Sequence, residues 1–144
     1  MGDAMMAIFN APNPQPDHAF RAARAALAMQ RGIGGLPAQN TRPKFRVGLN
    51  SGTALVGNIG AEEMRNFSAI GDTTNLAARL QTYAAEGTVV IGASTYDLIR
   101  EQAVVRPLGS PQLKGKSEPV EVFELLGLRA SSSPALSAGM MVDP

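Results

Sequence analysis

The chain contains no cysteine, so neither a disulfide nor a thiolate-bound zinc can form. Its one histidine, His18, stands where a helix is expected to begin, which excludes a histidine-ligated zinc pair and a histidine-based triad. Charge of one sign is also scarce. A net charge of +1, with no basic block, gives no electrostatic case for nucleic acid or for an anionic membrane surface. No run reaches the roughly 18 apolar residues of a membrane span, and no charged-then-apolar leader precedes Gly2. The expectation is a cytoplasmic protein, or the cytoplasmic part of something larger. What is present fits one folded domain: 144 residues, 44% of them hydrophobic and 17% charged.

Ala4 to Phe9 is a short apolar run and is expected to form a buried strand. The prolines at 12, 14 and 16 make the next segment a loop. Asp17 then has N-cap chemistry, and the alanine-rich run Ala19 to Met29 reads as a helix with Phe20, Ala23 and Leu27 near one face. Phe45, Val47 and Leu49 alternate with Arg46 and Gly48 as a half-buried strand does. Asn50-Ser51-Gly52 is expected to turn it into a hairpin whose return strand is Thr53 to Val56. The run Thr88 to Ile91 reads as a β-branched strand and Ser94 to Arg100 as a helix. Val104-Val105 and Val120 to Leu126 close the sheet. Strands and helices interleave, so an α+β or α/β sandwich with a mixed sheet follows. From Arg129 to Pro144 Ser, Ala, Gly and Pro dominate without periodicity, as in a disordered tail or linker.

The chain is organised around Phe67-Ser68-Ala69-Ile70-Gly71-Asp72-Thr73-Thr74-Asn75-Leu76-Ala77-Ala78-Arg79. An apolar-leaning run ends at Gly71, and Asp72 supplies N-cap chemistry for a helix. Leu76, Ala77, Leu80, Tyr83 and Ala84 form the stripe of a helix packed on a sheet. Asn75 and Arg79 are four residues apart and share one face beside that stripe. An amide and a guanidinium there suit a sugar ring oxygen and a charged phosphate. In isolation such a pair is more often a solvated helix surface. Asp3 after Gly2 is, by itself, a turn pair more readily than a metal ligand. Leu113-Lys114-Gly115-Lys116-Ser117 has the look of a P-loop end, but the glycine five residues before Gly115 is missing and a strand follows instead of a helix.

These residues together resemble the class III adenylate/guanylate cyclase catalytic domain. Ile70-Gly71-Asp72-Thr73-Thr74-Asn75-Leu76-Ala77-Ala78-Arg79-Leu80 looks like its signature. Met1 to Phe9, Gly48 to Gly60 and Leu113 to Lys116 match further motifs in the expected order, so the resemblance covers about residues 1–128. It implies a ferredoxin-like α+β fold with a mixed, mostly antiparallel sheet. It also implies conversion of ATP to 3′,5′-cyclic AMP and pyrophosphate with Mg²⁺ or Mn²⁺, at sites shared in a head-to-tail homodimer. Asp3 matches the second of two metal-binding aspartates, Asn75 the ribose-orienting amide and Arg79 the transition-state arginine. Lys114 matches the lysine that reaches the terminal phosphates. Ser68 occupies the base-discriminating position, and a hydroxyl there is similar to a bacterial Thr/Ser subgroup that leans towards ATP over GTP. Positions matching the family's first strand, first two helices, first metal aspartate and base-recognising lysine would precede Met1. The alternative function is therefore a non-catalytic nucleotide-binding or dimerisation module.

Overall fold

The computed structural model describes residues 4–34, 45–53, 55–59, 66–116 and 118–129. In chain order these form α1 (His18–Gly34), β1 (Val47–Leu49), β2 (Leu55–Ile59), β3 (Asn66–Ile70) and α2 (Asp72–Tyr83). There follow β4 (Val89–Gly92), α3 (Ala93–Ile99), β5 (Ala103–Gly109) and β6 (Val122–Leu128). A four-stranded sheet runs in the order β1-β4-β6-β5, and β2 pairs with β3 in a separate two-stranded sheet. Only β1 and β4 pair in parallel; β4–β6, β5–β6 and β2–β3 are antiparallel. The fold is α+β with a mixed, mostly antiparallel sheet, as expected.

All four residues of β4 are buried, because helices cover both faces of the sheet. Successive strand side chains point to opposite faces, so β4 feeds two cores. Val89 and Ile91 join Phe123 and Leu125 of β6 against α1 and α3, together with Ala19, Ala23, Ala26 and Ile99. Val90 and Val122 face the other way and pack under Leu80 of α2, Ala84 just past its end and Leu113 of the turn beyond β5. Full burial of side chains such as Ile91, Leu80 and Val90 contributes about 1.5–3 kcal/mol each. The second core matters for function, since it seats α2 and Leu113 on the same sheet face.

Several expectations are corrected. Residues 4–9 form no strand, and Met5 and Met6 are exposed. An apolar run makes a strand only beside a ladder partner, and none of the described strands pairs with it. β1 does not form a hairpin with β2. It pairs instead with β4, Gly48 opposite Val90, while β2 forms its ladder with β3. Helix α1 continues past Gly32 to Gly34. Gln30 anchors these last turns by donating to the carbonyls of Phe45 and Thr88, at 3.1 and 3.2 Å, and one helical glycine costs only about 1 kcal/mol. The Asp17 carboxylate bonds the Arg21 Nε at 2.7 Å, and only its backbone carbonyl acts at the helix start, accepting the Arg21 N–H at 3.0 Å. Tyr83 stands largely exposed at the end of the α2 stripe. The expected tail lies outside the described residues, apart from Arg129.

Candidate active site

Helix α2 begins directly where β3 ends. Its N-cap is Gly71, at φ 134° and ψ −177°, and no side chain caps the first turn. Asp72 is therefore the first helical residue and not the cap expected of it. Gly71 takes a backbone shape that aspartate would adopt only at a cost. The Asp72 carboxylate turns instead to Lys116, whose Nζ lies 3.0 and 3.2 Å from its two oxygens. Asn75 donates its backbone N–H to the Gly71 carbonyl at 3.0 Å, the first bond of the helix, and its side chain stands exposed. One turn later Arg79 is half-buried. Its Nε donates to the carbonyl of Lys114 at 2.6 Å.

The turn Leu113–Lys116 thus lies along the Asp72–Asn75–Arg79 face of α2. Leu113 is buried beneath it and Lys116 N–H closes the turn on the Leu113 carbonyl at 3.0 Å. Gly115 has φ 84°, and a Cβ placed on it would sit 3.1 Å from Arg79 Nη2 and 3.3 Å from Nε. The guanidinium fills the space a side chain would take. Lys114 is exposed, and its ammonium has no hydrogen bond or ion pair among the described residues. With Lys116 paired to Asp72, Arg79 and Lys114 leave the face cationic two turns along α2, an arrangement suited to a polyanion.

Of the expected site residues, the structure brings Asn75, Arg79 and Lys114 together, 75 and 79 on one helix face and Lys114 through its carbonyl. Ser68 lies in β3, opposite Gly57 of β2 in the ladder. Asp3 lies outside the described residues. The described residues contain no group of three or more His, Cys, Asp or Glu side chains placed to hold a metal ion. The one carboxylate on the α2 face, Asp72, is already paired.

Several supporting residues were not singled out from sequence. Asn50 donates from Nδ2 to the Thr73 carbonyl at 3.0 Å and accepts from Ser94 Oγ at 3.1 Å, linking the first turns of α2 and α3. The single Ser94 hydroxyl proton is shared with the Ser51 carbonyl, which lies closer, at 2.7 Å. Ser51 Oγ lies 2.8 Å from the buried Thr95 Oγ1, and Thr73 Oγ1 donates to the Thr53 carbonyl. The sequence signal at 50–52 was the Asn-Ser-Gly composition of a turn, which hid this role. Gly48 matters in another way. A Cβ there would meet the backbone of α2, 2.3 Å from Gln81 N and 2.5 Å from Ala77 O.

The adenylate and guanylate cyclase catalytic domain is the family whose model matches residues 1–127. The chain belongs to this family of nucleotidyl cyclase domains. It is 35% identical over 134 residues to adenylate cyclase 1 of Rhizobium meliloti, a match covering 88% of this chain and 20% of that protein. Among solved structures it resembles the guanylate cyclase domain of RhGC from Catenaria anguillulae in complex with GTP, at TM-score 0.77 and 30% identity over 84% of this chain and 66% of that one. The adenylyl cyclase CyaB from P. aeruginosa is similar at TM-score 0.74 and 30% identity, with 84% and 66% covered. The chain spans a fifth of the Rhizobium protein's length and just under two thirds of each solved domain. No helix among the described residues is long and apolar enough to cross a membrane.

Proposed function

We propose that this domain converts ATP to 3′,5′-cyclic AMP and pyrophosphate, in a site completed by a second, head-to-tail copy of the chain, in the cytoplasm. The observation that carries the reading is the union of Arg79 with the Lys114 turn on the face that bears Asn75. In the reaction the ribose 3′-oxygen gives up its proton to water and bonds to the α-phosphorus. The bond from that phosphorus to the α,β-bridging oxygen breaks, and pyrophosphate leaves with the electron pair. The Asn75 amide holds the ribose so that its 3′-oxygen is in line with the leaving group. Arg79 offers its planar Nη donors to the charge that grows on the five-coordinate phosphorus, already fixed in place and needing no reorganisation. Lys114 takes the β and γ phosphates and steadies the departing pyrophosphate. Ser68 reads the base, and its hydroxyl, which donates and accepts, favours adenine less sharply than a carboxylate would.

A divalent cation, Mg²⁺ or Mn²⁺, would polarise the α-phosphate and lower the pKa of the 3′-hydroxyl. Asp3 is the residue assigned to it, and the roles given to α2 and the turn do not depend on it. The resemblances to a guanylate cyclase with GTP and to an adenylyl cyclase are of similar strength, and what supports ATP is the likeness of Ser68 to the bacterial Thr/Ser subgroup.

The purified chain should be incubated with Mn²⁺ and either ATP or GTP, and the products separated by chromatography. We expect cyclic AMP above cyclic GMP, abolished in an Asn75→Ala, Arg79→Ala double variant. Cyclic GMP as the main product would overturn the base assignment. Tight ATP binding without product would favour the alternative, a nucleotide-binding or pairing module.

A further inference from the structure

The Leu113–Lys116 turn carries two lysines on either side of one glycine, and the structure treats them differently. Lys114 projects into solvent. Lys116 is only 28% exposed and is held by Asp72, at the first position of α2. Two further contacts join the same turn to the same helix face. The Arg79 Nε donates to the Lys114 carbonyl, and the Arg79 guanidinium lies over Gly115, where a Cβ would be crowded at 3.1 Å from Nη2 and the φ of 84° disfavours a side chain. Three points of attachment, at helix positions 72 and 79, therefore fix the turn against two turns of helix. Leu113 and Leu80 pack in one core beneath them.

We propose that Asp72, Gly115 and Lys116 are positioning residues that lock α2 and the lysine turn into one unit, so that Arg79 and Lys114 meet a nucleotide triphosphate at a fixed separation. The inference rests on the proposed cyclase reading for its purpose, but not for its geometry. Arg79 has two jobs in it. Nε belongs to the lock, and only the Nη groups are offered to phosphate. A lysine ammonium would have to serve both partners from one nitrogen, whereas the planar guanidinium holds its Nε and Nη donors apart in fixed directions. Lys116, although basic and one residue from Gly115, is not a phosphate ligand. Its charge is committed to Asp72.

The two readings of Lys116 predict opposite signs for one variant. If Lys116 bound phosphate directly, Asp72→Asn would release it and strengthen MgATP binding while Lys116→Gln weakened it. If Asp72 and Lys116 act as a lock, both single variants weaken MgATP binding by the same factor, about two- to fivefold for a pair this exposed. Asp72→Asn, Lys116→Gln together are then no worse than either alone. Calorimetric titration of the full chain with MgATP and, as reference, adenosine would measure this. Adenosine affinity should not change in any variant. Tighter binding by Asp72→Asn, or losses that multiply in the double variant, would overturn the proposal.

A second measurement is independent of nucleotide. The Arg79 Nε–H of ¹⁵N-labelled protein should exchange slowly with solvent and lose that protection in Gly115→Ala, with circular dichroism confirming that the variant is folded. Free exchange in the unsubstituted chain would overturn the lock. Should the unsubstituted chain bind no nucleotide, the cyclase reading fails, and the Nε–H exchange alone upholds or overturns the lock.

Discussion

Two glycines shape the site by what they lack. At Gly48 the absent side chain lets the backbone of β1 lie against the backbone of α2, with Gln81 N and Ala77 O within 2.5 Å of where a Cβ would stand. Both neighbours are main chain, so neither can swing aside. Gly48→Ala should push α2 off the sheet and destabilise the fold by roughly 1–3 kcal/mol, the usual cost of overpacking. Thermal unfolding checks this, and an unchanged midpoint would show that β1 and α2 are less closely packed than described. At Gly115 the neighbour is the Arg79 side chain, so substitution there should injure the site more than the fold. Asn75, Arg79 and Lys114 were legible in the sequence through the resemblance of their motifs to the cyclase signature; helix spacing by itself placed only Asn75 and Arg79 on one face. The role of Lys116 was not legible. Its partner Asp72 lies 44 residues away, and a carboxylate before two threonines looked like a cap. Only the backbone shape of Gly71 shows that the cap position was already taken.

At the scale of elements, α2 is held by three agents: the sheet beneath it, the lysine turn beside it, and the 50–53 segment at its N-terminus. Leu80, fully buried, is the main apolar anchor, and Leu80→Ala should cost about 2–5 kcal/mol in chemical denaturation. Asn50 is the polar anchor. Asn50→Ala removes the donor to Thr73 and the acceptor from Ser94, and should lower stability by about 1–2 kcal/mol. Because those bonds set the start of α2, turnover should fall further than the stability loss explains, which is read from kcat at a temperature where the variant is fully folded. The element types along β4, α2, β5 and β6 followed from β-branched runs and, for α2, from its apolar stripe. The pairing of β1 did not. Alternation shows that Val47 and Leu49 line one face, but not whether the neighbouring strand is the next in sequence or one lying beyond a helix. The side-chain bonds of Asn50 and Ser51 to α2 and α3 replaced the hairpin that the turn composition suggested. The Ala4–Phe9 run shows the opposite failing. Its residues look like a strand, yet strand formation depends on a partner that composition cannot reveal.

For the whole molecule, the proposed reaction requires a second copy, because Asp3 and the α2 face are assigned to different subunits. Specific activity should therefore rise with chain concentration until the dimer is saturated, as mass action demands. Sedimentation across the same range should show the matching shift. Constant specific activity from a monomer would remove the shared-site reading while leaving the α2 face intact. That face carries the central proposal, that Arg79, whose Nε donates to the Lys114 carbonyl, and Lys114 together serve the triphosphate. The most direct test is calorimetric titration of MgATP and adenosine into the unsubstituted chain and an Arg79→Ala, Lys114→Ala variant. We expect the variant to lose about tenfold in MgATP affinity, chiefly through the charge-assisted contact of Lys114 with the β and γ phosphates, with adenosine binding unchanged. Equal MgATP affinity in the two proteins would contradict the claim.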